Sequence, residues 1–294
     1  MKLTNKLGLP ASIVAAVLND PYTNGGASIS VTKLLSPAYQ YQLLTKHAAE
    51  LEEDVADRIW SLMGQVGHGI LERMPIDAAT SVAEQRIFMP ATYIGLDMPD
   101  FTISGAFDLL EAGCINDFKF TTVWSRDGKI EWEQQLNMLR LLCQYHYEQT
   151  GDRRFIADRL RIIAIYRDWQ KAKAKVTKDY PQTQVESLEI PVWPLEVTRE
   201  YMRKRVLLHT SSEPPVCTDD ERWMRPPVFA LMKAGRKSAV KLYDNKAEAD
   251  AAAAAAGKGH TVIARPVEYP RCESYCTAAK FCPHWQAQLN EVPF

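Results

Sequence analysis

Neither sign of charge is in excess in this chain of 294 residues. Lysine and arginine number 35 against 36 aspartates and glutamates, a formal net charge of -1. That balance excludes a global basic field that would attract nucleic acid over the whole surface, so any groove for a polyanion must be local. Long apolar runs are missing too. No segment approaches the roughly 20 apolar residues of a membrane span. Met1 to Pro10 lacks the continuous apolar stretch of a signal peptide. The expectation is a soluble, cytoplasmic protein with no membrane partner. No internal repeat is visible, and the longest low-complexity run, Ala247 to Ala256, reads as an alanine-rich helix ending at Gly257. Cysteine is sparse, six in all, and in an intracellular chain these read as thiols or metal ligands rather than disulfides.

What is present suits a folded core. The chain is 46% hydrophobic and 24% charged, enough apolar surface for one large domain or a core with a smaller attached region. Leu9 to Asn19 and Pro37 to Gln65 read as helices, the second continuing past Gly64 to Met74. Strands are expected near Arg86 to Gly95, Phe101 to Leu110, Cys114 to Thr121 and Leu160 to Trp169. Ile130 to Gln149 is a helix with Leu136, Leu139, Leu142, Cys143 and Tyr147 on one stripe. Val185 to Trp193 is extended, Pro194 to Ser211 helical, and the proline-rich stretch Ser212 to Pro227 a connector. Two short strands follow around Ala234-Gly235. The order predicts an α/β fold with a mixed central sheet. Lysine and arginine cluster in Arg153 to Arg161, Lys171 to Lys178 and Arg199 to Arg205; each is either a solvated face or a stretch of groove.

The chemistry begins at Asp108, followed nine residues later by Asp117-Phe118-Lys119. The two acids lie on consecutive expected strands joined by a turn at Gly113, so they can approach across the sheet. Lys119, two residues after Asp117, points to the same face. Two carboxylates and a lysine there suit a hard divalent cation with a water beside it, an arrangement that cleaves phosphodiesters. A second station lies upstream. His68 and Glu72, four apart, share one helix face and can supply an imidazole ligand and a nearby carboxylate. Gly64 and Gly67 precede them and allow close approach to the helix.

Taken in order, these stations resemble the RecB-like branch of the PD-(D/E)XK nuclease superfamily. Gly64, His68 and Glu72 match its first motif, Gly105 and Asp108 its second, Asp117 and Lys119 its third. Gln135-Leu136-Asn137-Met138-Leu139 matches the fourth, with Leu139 where a tyrosine is common. The resemblance spans roughly Gly64 to Leu142. It implies a restriction-endonuclease-like core over residues 64–211, an N-terminal helical region over 1–63 and a C-terminal region over 212–294. It further implies Mg²⁺ or Mn²⁺ held by Asp108, Asp117, His68 and the carbonyl of Phe118. Lys119 would orient the attacking water, and Glu72 and Gln135 would support the site.

Three cysteines, Cys272, Cys276 and Cys282, fall within eleven residues near the C-terminus. A closed metal site needs a fourth soft ligand. Cys143 belongs to an apolar helix stripe, Cys114 sits at a strand start, and Cys217 lies in a loop after Pro214-Pro215; Cys217 is the choice. The pattern resembles iron–sulfur nucleases of the RecB-like group, which implies a [4Fe–4S] cluster, with Zn²⁺ as the alternative. Either would staple the tail from Lys258 to Phe294 to the core. The implied function is a Mg²⁺- or Mn²⁺-dependent DNA exonuclease of phage or bacterial recombination. Its partners would be DNA with a free end and a recombination or single-strand-annealing protein. A structure-specific endonuclease, a non-catalytic DNA-binding accessory protein and a zinc-stabilised interaction module remain as alternatives.

Overall fold

Alternating burial builds the centre of the fold. Along Arg159–Tyr166, Leu160, Ile162, Ala164 and Tyr166 are buried while the residues between them are more open, the period of two that a strand imposes. The computed structural model describes residues 2–20 and 23–291. Met1, Pro21, Tyr22 and the last three residues of the expected C-terminal tail lie outside the described residues. The chain divides into two compact units, residues 2–41 with 49–214, and residues 42–48 with 215 onward.

In chain order the elements of the first unit are β1 (Lys2–Thr4), α1 (Ala11–Leu18), β2 (Ile29–Ser30), α2 (Val31–Leu35) and the start of α3 (Ala38–Lys46). Then come β3 (Glu52–Asp54), α4 (Ile59–Leu71), β4 (Ser81–Pro90), β5 (Thr102–Glu111), β6 (Cys114–Thr121), α5 (Ile130–Thr150) and β7 (Arg159–Tyr166). The unit ends with α6 (Lys171–Val176), β8 (Val185–Ile190) and α7 (Leu195–Thr210). Six strands form a mixed sheet. Its path runs β2-β5-β6-β7-β8, and β4 pairs along the other edge of β5. β2 with β5 and β6 with β7 are parallel, and the remaining pairs are antiparallel. Helix α5 packs against β4, β5 and β7, and α4 against β6. The fold is therefore mixed α/β, with a central mixed sheet flanked by helices.

Helix α5 anchors the core. Leu136, Met138, Leu139, Leu141, Leu142 and Cys143 are almost wholly buried, each large side chain contributing roughly 1.5–3 kcal/mol relative to exposure. Glu131 and Glu133 sit in its first turn, favourable beside the helix dipole. Gly151 closes it in the left-handed conformation at φ 72°. The sheet meets this helix without a side chain at Gly105, where a Cβ would lie 2.5 Å from Leu139 Cδ2.

Two expected elements are drawn differently. The single helix from Pro37 to Met74 is interrupted: α3 ends at Lys46, β3 pairs in parallel with β1, and a 3₁₀ turn, Val55–Arg58, leads into α4. Asp54 breaks the helix. Its carboxylate accepts bonds from Ala56 N (3.0 Å), Thr4 Oγ1 (2.7 Å) and Lys6 N (2.8 Å), local partners that compete with helix formation. The Lys6 amide first, then Thr4 and Ala56, hold its pKa below the usual carboxylate value. The strand expected at Arg86 to Gly95 instead begins at Ser81 and ends at Pro90, followed by a 3₁₀ turn over Ala91–Ile94.

The second unit carries an antiparallel sheet, β10-β9-β11, from β9 (Val228–Lys233), β10 (Lys241–Tyr243) and β11 (His260–Arg265). The alanine-rich helix α8 (Lys246–Ala256) packs on it through the fully buried Ala249. Asn245 caps that helix, its Oδ1 accepting Ala247 N at 2.7 Å. A short helix, α9 (Pro283–Glu291), ends the described chain. No helix among the described residues is long and apolar enough to cross a membrane.

Candidate metal centre

The site forms where two strands part. β6 pairs with β5 only at Leu109↔Asn116, Leu110↔Ile115 and Glu111↔Cys114. Further along β5, β2 occupies the edge at Ile103 and Ser104. Between these pairings the edge of β5 at 105–108 has no strand partner among the described residues. Asp108 fills part of the gap, its Oδ2 accepting the amide of Phe118 at 2.6 Å. A short bond to a carboxylate is a strong one, and it fixes Asp108 against the backbone between Asp117 and Lys119.

β4 contributes from the other edge. Ala83 pairs with Leu109 and Gln85 with Phe107, but Glu84, which would face Asp108, is not paired. Its φ is +50°, a left-handed conformation that a non-glycine residue adopts only when its surroundings demand it. The result is a set of three ligand groups, His68, Glu84 and Asp108, with an atom of each within 4.8 Å of the others. Among the described residues this is the one such set of three or more histidine, cysteine or carboxylate ligands. His68 reaches it from α4, its Nδ1 lying 3.7 Å from Asp108 Oδ1 and its ring edge-on to Phe120.

Asp117 lies beside this set rather than within it. Lys119 Nζ approaches its Oδ2 at 2.6 Å. That oxygen is buried and accepts no hydrogen bond of good angle, so the contact is a charge pair and a lone pair is left over. These groups line an open cleft of about 660 Å³ with Gln135, Leu139 and Glu72 on its walls. Leu139, at the position where the resemblance expects a tyrosine, is an apolar wall.

Crowded carboxylates raise one another's pKa. Burial first, then the neighbouring Asp117, lifts Asp108 to about 6, against lowering by His68, the Phe118 amide and Lys119. Glu84 is lifted to about 7 by desolvation, then by Asp108, Glu72 and Asp117. Its side chain remains substantially open to solvent, so charge repulsion across the cleft is shielded there. Acids held together against their own repulsion, with an imidazole beside them and an unsatisfied carboxylate oxygen behind, fit a divalent cation.

No protein-family model matches the sequence, and no curated protein matches it either. A solved structure, "Crystal structure of SSO0001", is similar with a TM-score of 0.46 and 13% identity, covering 70% of this chain and 89% of that one.

The six cysteines are free thiols. Cys143 is buried on α5 and Cys114 is buried at the start of β6, both in the first unit. Cys217, Cys272, Cys276 and Cys282 belong to the second unit. The segment after Cys217 runs beside the one that bears Cys272: Arg225 bridges to Glu268, and Arg271 N donates to Arg222 O at 3.3 Å. Burial pushes the Cys272 thiol up to about 11, with Cys276 and Cys282 near enough to add to the rise and Arg222 near enough to oppose it. The four sulfurs do not form a set within 4.8 Å of one another. Trp285 N donates to Cys282 Sγ at 3.4 Å.

Glu84 is the site residue that the sequence reading passes over. Its signal was an acid upstream of the paired aspartates, but the strand expected from Arg86 begins two residues too late to include it.

Proposed function

We propose that the chain is a metal-dependent nuclease with a restriction-endonuclease-like core, acting on DNA as an exonuclease. One observation carries the reading: His68, Glu84 and Asp108 converge at the parting of β5 and β6, with the Asp117–Lys119 pair alongside. His68, Glu84 and Asp108 would hold Mg²⁺ or Mn²⁺, with the Asp117 carboxylate alongside as a further acidic group of the site. The cation supplies Lewis acidity towards a phosphoryl oxygen and a water of lowered pKa.

The chain's own residues do the rest. Phe118 N–H pins Asp108 so that its other oxygen faces His68. Lys119 carries a positive charge next to the position of a scissile phosphate and can orient a water there without competing for the metal. Gln135, on the cleft wall, offers amide donors to the phosphate. Glu84 joins His68 and Asp108 as a ligand that the sequence reading, with His68, Asp108, Asp117 and the Phe118 carbonyl, did not include. In the second unit, Cys217, Cys272, Cys276 and Cys282 would supply the thiolates of a [4Fe–4S] cluster or a Zn²⁺ site, drawn together on binding from sulfurs that stand apart here. The buried guanidinium of Arg222 supplies a compensating positive charge near Cys272.

The test is digestion of end-labelled linear and covalently closed circular DNA with Mg²⁺, with Mn²⁺ and with chelator. The expected outcome is metal-dependent loss of label from linear DNA only. Nicking of the circle would make the enzyme an endonuclease. Asp117→Ala is expected to reduce cleavage by ~10²–10³-fold or more, the scale of losing one charge-stabilising group; cleavage at the wild-type rate would remove Asp117 from the site.

A further inference from the structure

A second surface lies at the end of β6, in the direction in which the strand runs on from Lys119. The strand rises about 3.3 Å per residue, so Thr121 is roughly 7 Å beyond Lys119. There the chain enters a 3₁₀ turn, Val123–Ser125. The turn is tied down on both sides. Thr121 Oγ1 bonds the buried Ser125 Oγ at 2.9 Å, Val123 N donates to Asp168 Oδ1 at 2.8 Å, and Arg126 donates to Asp179 O at 2.9 Å. Yet Trp124, at its centre, is 91% exposed. A large indole held in water on a rigid turn contributes nothing to the core, and its flat face is free to stack.

The same bonds bring a second aromatic and a basic arm to this place. Arg167 N donates to Thr121 O at 2.9 Å, and its guanidinium lies 4.0 Å over the ring of Trp60, itself 62% exposed. Beyond Arg167 the chain carries Lys171, Lys173, Lys175 and Lys178, all exposed, with Lys173 Nζ 5.9 Å over the ring of Tyr180. A chain of nearly zero net charge thus sets a run of four exposed lysines a few residues beyond an arginine that lies on an exposed indole.

We propose that this ledge binds a single strand of nucleic acid, stacking an unpaired base on Trp124 with the Arg167–Trp60 pair beside it. The lysines of the arm would hold its phosphates as the strand passes to Asp117. Positive charge recognises the backbone and aromatic faces recognise bases that are not already stacked in a duplex. The proposal deepens the nuclease reading and rests on it for the direction of the strand.

The test measures binding in chelator, where cleavage cannot interfere. Full-length protein is titrated into fluorescein-labelled oligo(dT) of 20 nucleotides and followed by anisotropy and by quenching of tryptophan emission. Trp124→Ala is expected to weaken binding about 5- to 140-fold, the loss of one stacked base, with Trp124→Phe restoring most of it. Exchange of Lys171, Lys173 and Lys175 for glutamate should flatten the salt dependence, by about 0.7 in logarithmic slope for each phosphate no longer neutralised. A blunt duplex of equal length should compete at least tenfold more weakly; equal competition overturns the single-strand assignment. Hydrolysis of thymidine 5′-p-nitrophenyl phosphate with Mn²⁺, too short to reach the ledge, should be unchanged in these variants. If they bind oligo(dT) as wild type does, the ledge is refuted while the nuclease reading stands. If oligo(dT) quenches and binds but no metal supports any cleavage, the nuclease reading fails and the ledge survives.

Discussion

Glu84 shows how one residue can leave its strand ladder and join a cluster of acidic groups. A strand residue at φ +50° surrenders its place in the ladder, a strain of order 1–3 kcal/mol that persists only where the surroundings impose it. Here it brings a carboxylate within 4.8 Å of His68 and Asp108. The linked pKa values give a pH prediction. Glu84 and Asp108 titrate at about 7 and about 6, above their ordinary values of 4.5 and 3.8. Raised folded-state values mean that the metal-free protein binds these protons more tightly than the unfolded chain does. Their stabilising contribution is complete below about pH 4 and is lost as pH rises through 6 to 7. A cation displaces the same protons, so its stabilisation should grow over that window. The Mn²⁺-induced rise in Tm is expected to be larger at pH 8 than at pH 5.5, and Glu84→Gln should diminish it. Equal shifts at both pH values would sink this account. At this scale the sequence singles out Asp108, Asp117, Lys119 and His68 through the order of several motifs rather than any one spacing, and the structure brings them to one cleft. Glu84 is illegible because nothing local marks a positive φ at a glutamate.

At the scale of elements, α4 is the piece on which the site hangs, and Gly67 decides how closely it lies on β6. A Cβ at Gly67 would stand 2.1 Å from the Phe120 ring, whereas Gly64 and Gly69 face open space. Close approach explains one glycine of the three and leaves the others as ordinary helix positions with a conformational penalty. Gly67→Ala should therefore push α4 off the sheet, destabilise the protein by about 1–3 kcal/mol as overpacking does, and carry His68 away from Asp108, weakening Mn²⁺ binding. Gly64→Ala and Gly69→Ala should be neutral or slightly stabilising. Adding Phe120→Ala to Gly67→Ala should recover metal affinity measured by calorimetry; failure to recover would separate the helix position from the site. Periodicity made β5, β6, α5 and β7 readable, since each is long and one-sided or alternating. It failed between Lys46 and Ile59, where the side chain of Asp54 competes with a helix that its neighbours would otherwise continue. It also misplaced β4, whose polar Glu84-Gln85-Arg86 run masks a strand that Val82, Ile87 and Met89 bury.

On the scale of the whole molecule, the second unit has a small hydrophobic interior and needs another source of order. Its described sheet has three short strands, and few of its side chains are fully buried. Arg222 supplies part of the tie. Its guanidinium is buried and bonds Asp219 at 3.1 Å and Gln288 and His284 at 3.0 Å each, while lying 3.6 Å over Tyr269. One residue thus joins the segment after Cys217 to both flanks of the C-terminal cysteines. A buried cation with Nε unsatisfied favours a nearby centre of negative charge, which thiolates on a metal would provide. Protein purified without oxygen is expected to be brown, to absorb broadly near roughly 400 nm, and to lose colour and resistance of residues 215 onward to protease together when Cys272 is exchanged for serine. Mn²⁺ affinity at His68, Glu84 and Asp108 should be unaffected, because those ligands belong to the other unit. Colourless protein with one equivalent of zinc would replace the cluster with a closed tetrahedral site, in which zinc–sulfur bonds of about 2.3 Å draw the sulfurs closer together than they stand here. Protein that binds neither metal, and whose Cys272→Ser variant resists protease as wild type does, would leave Arg222 as the tie and the thiols without a structural role.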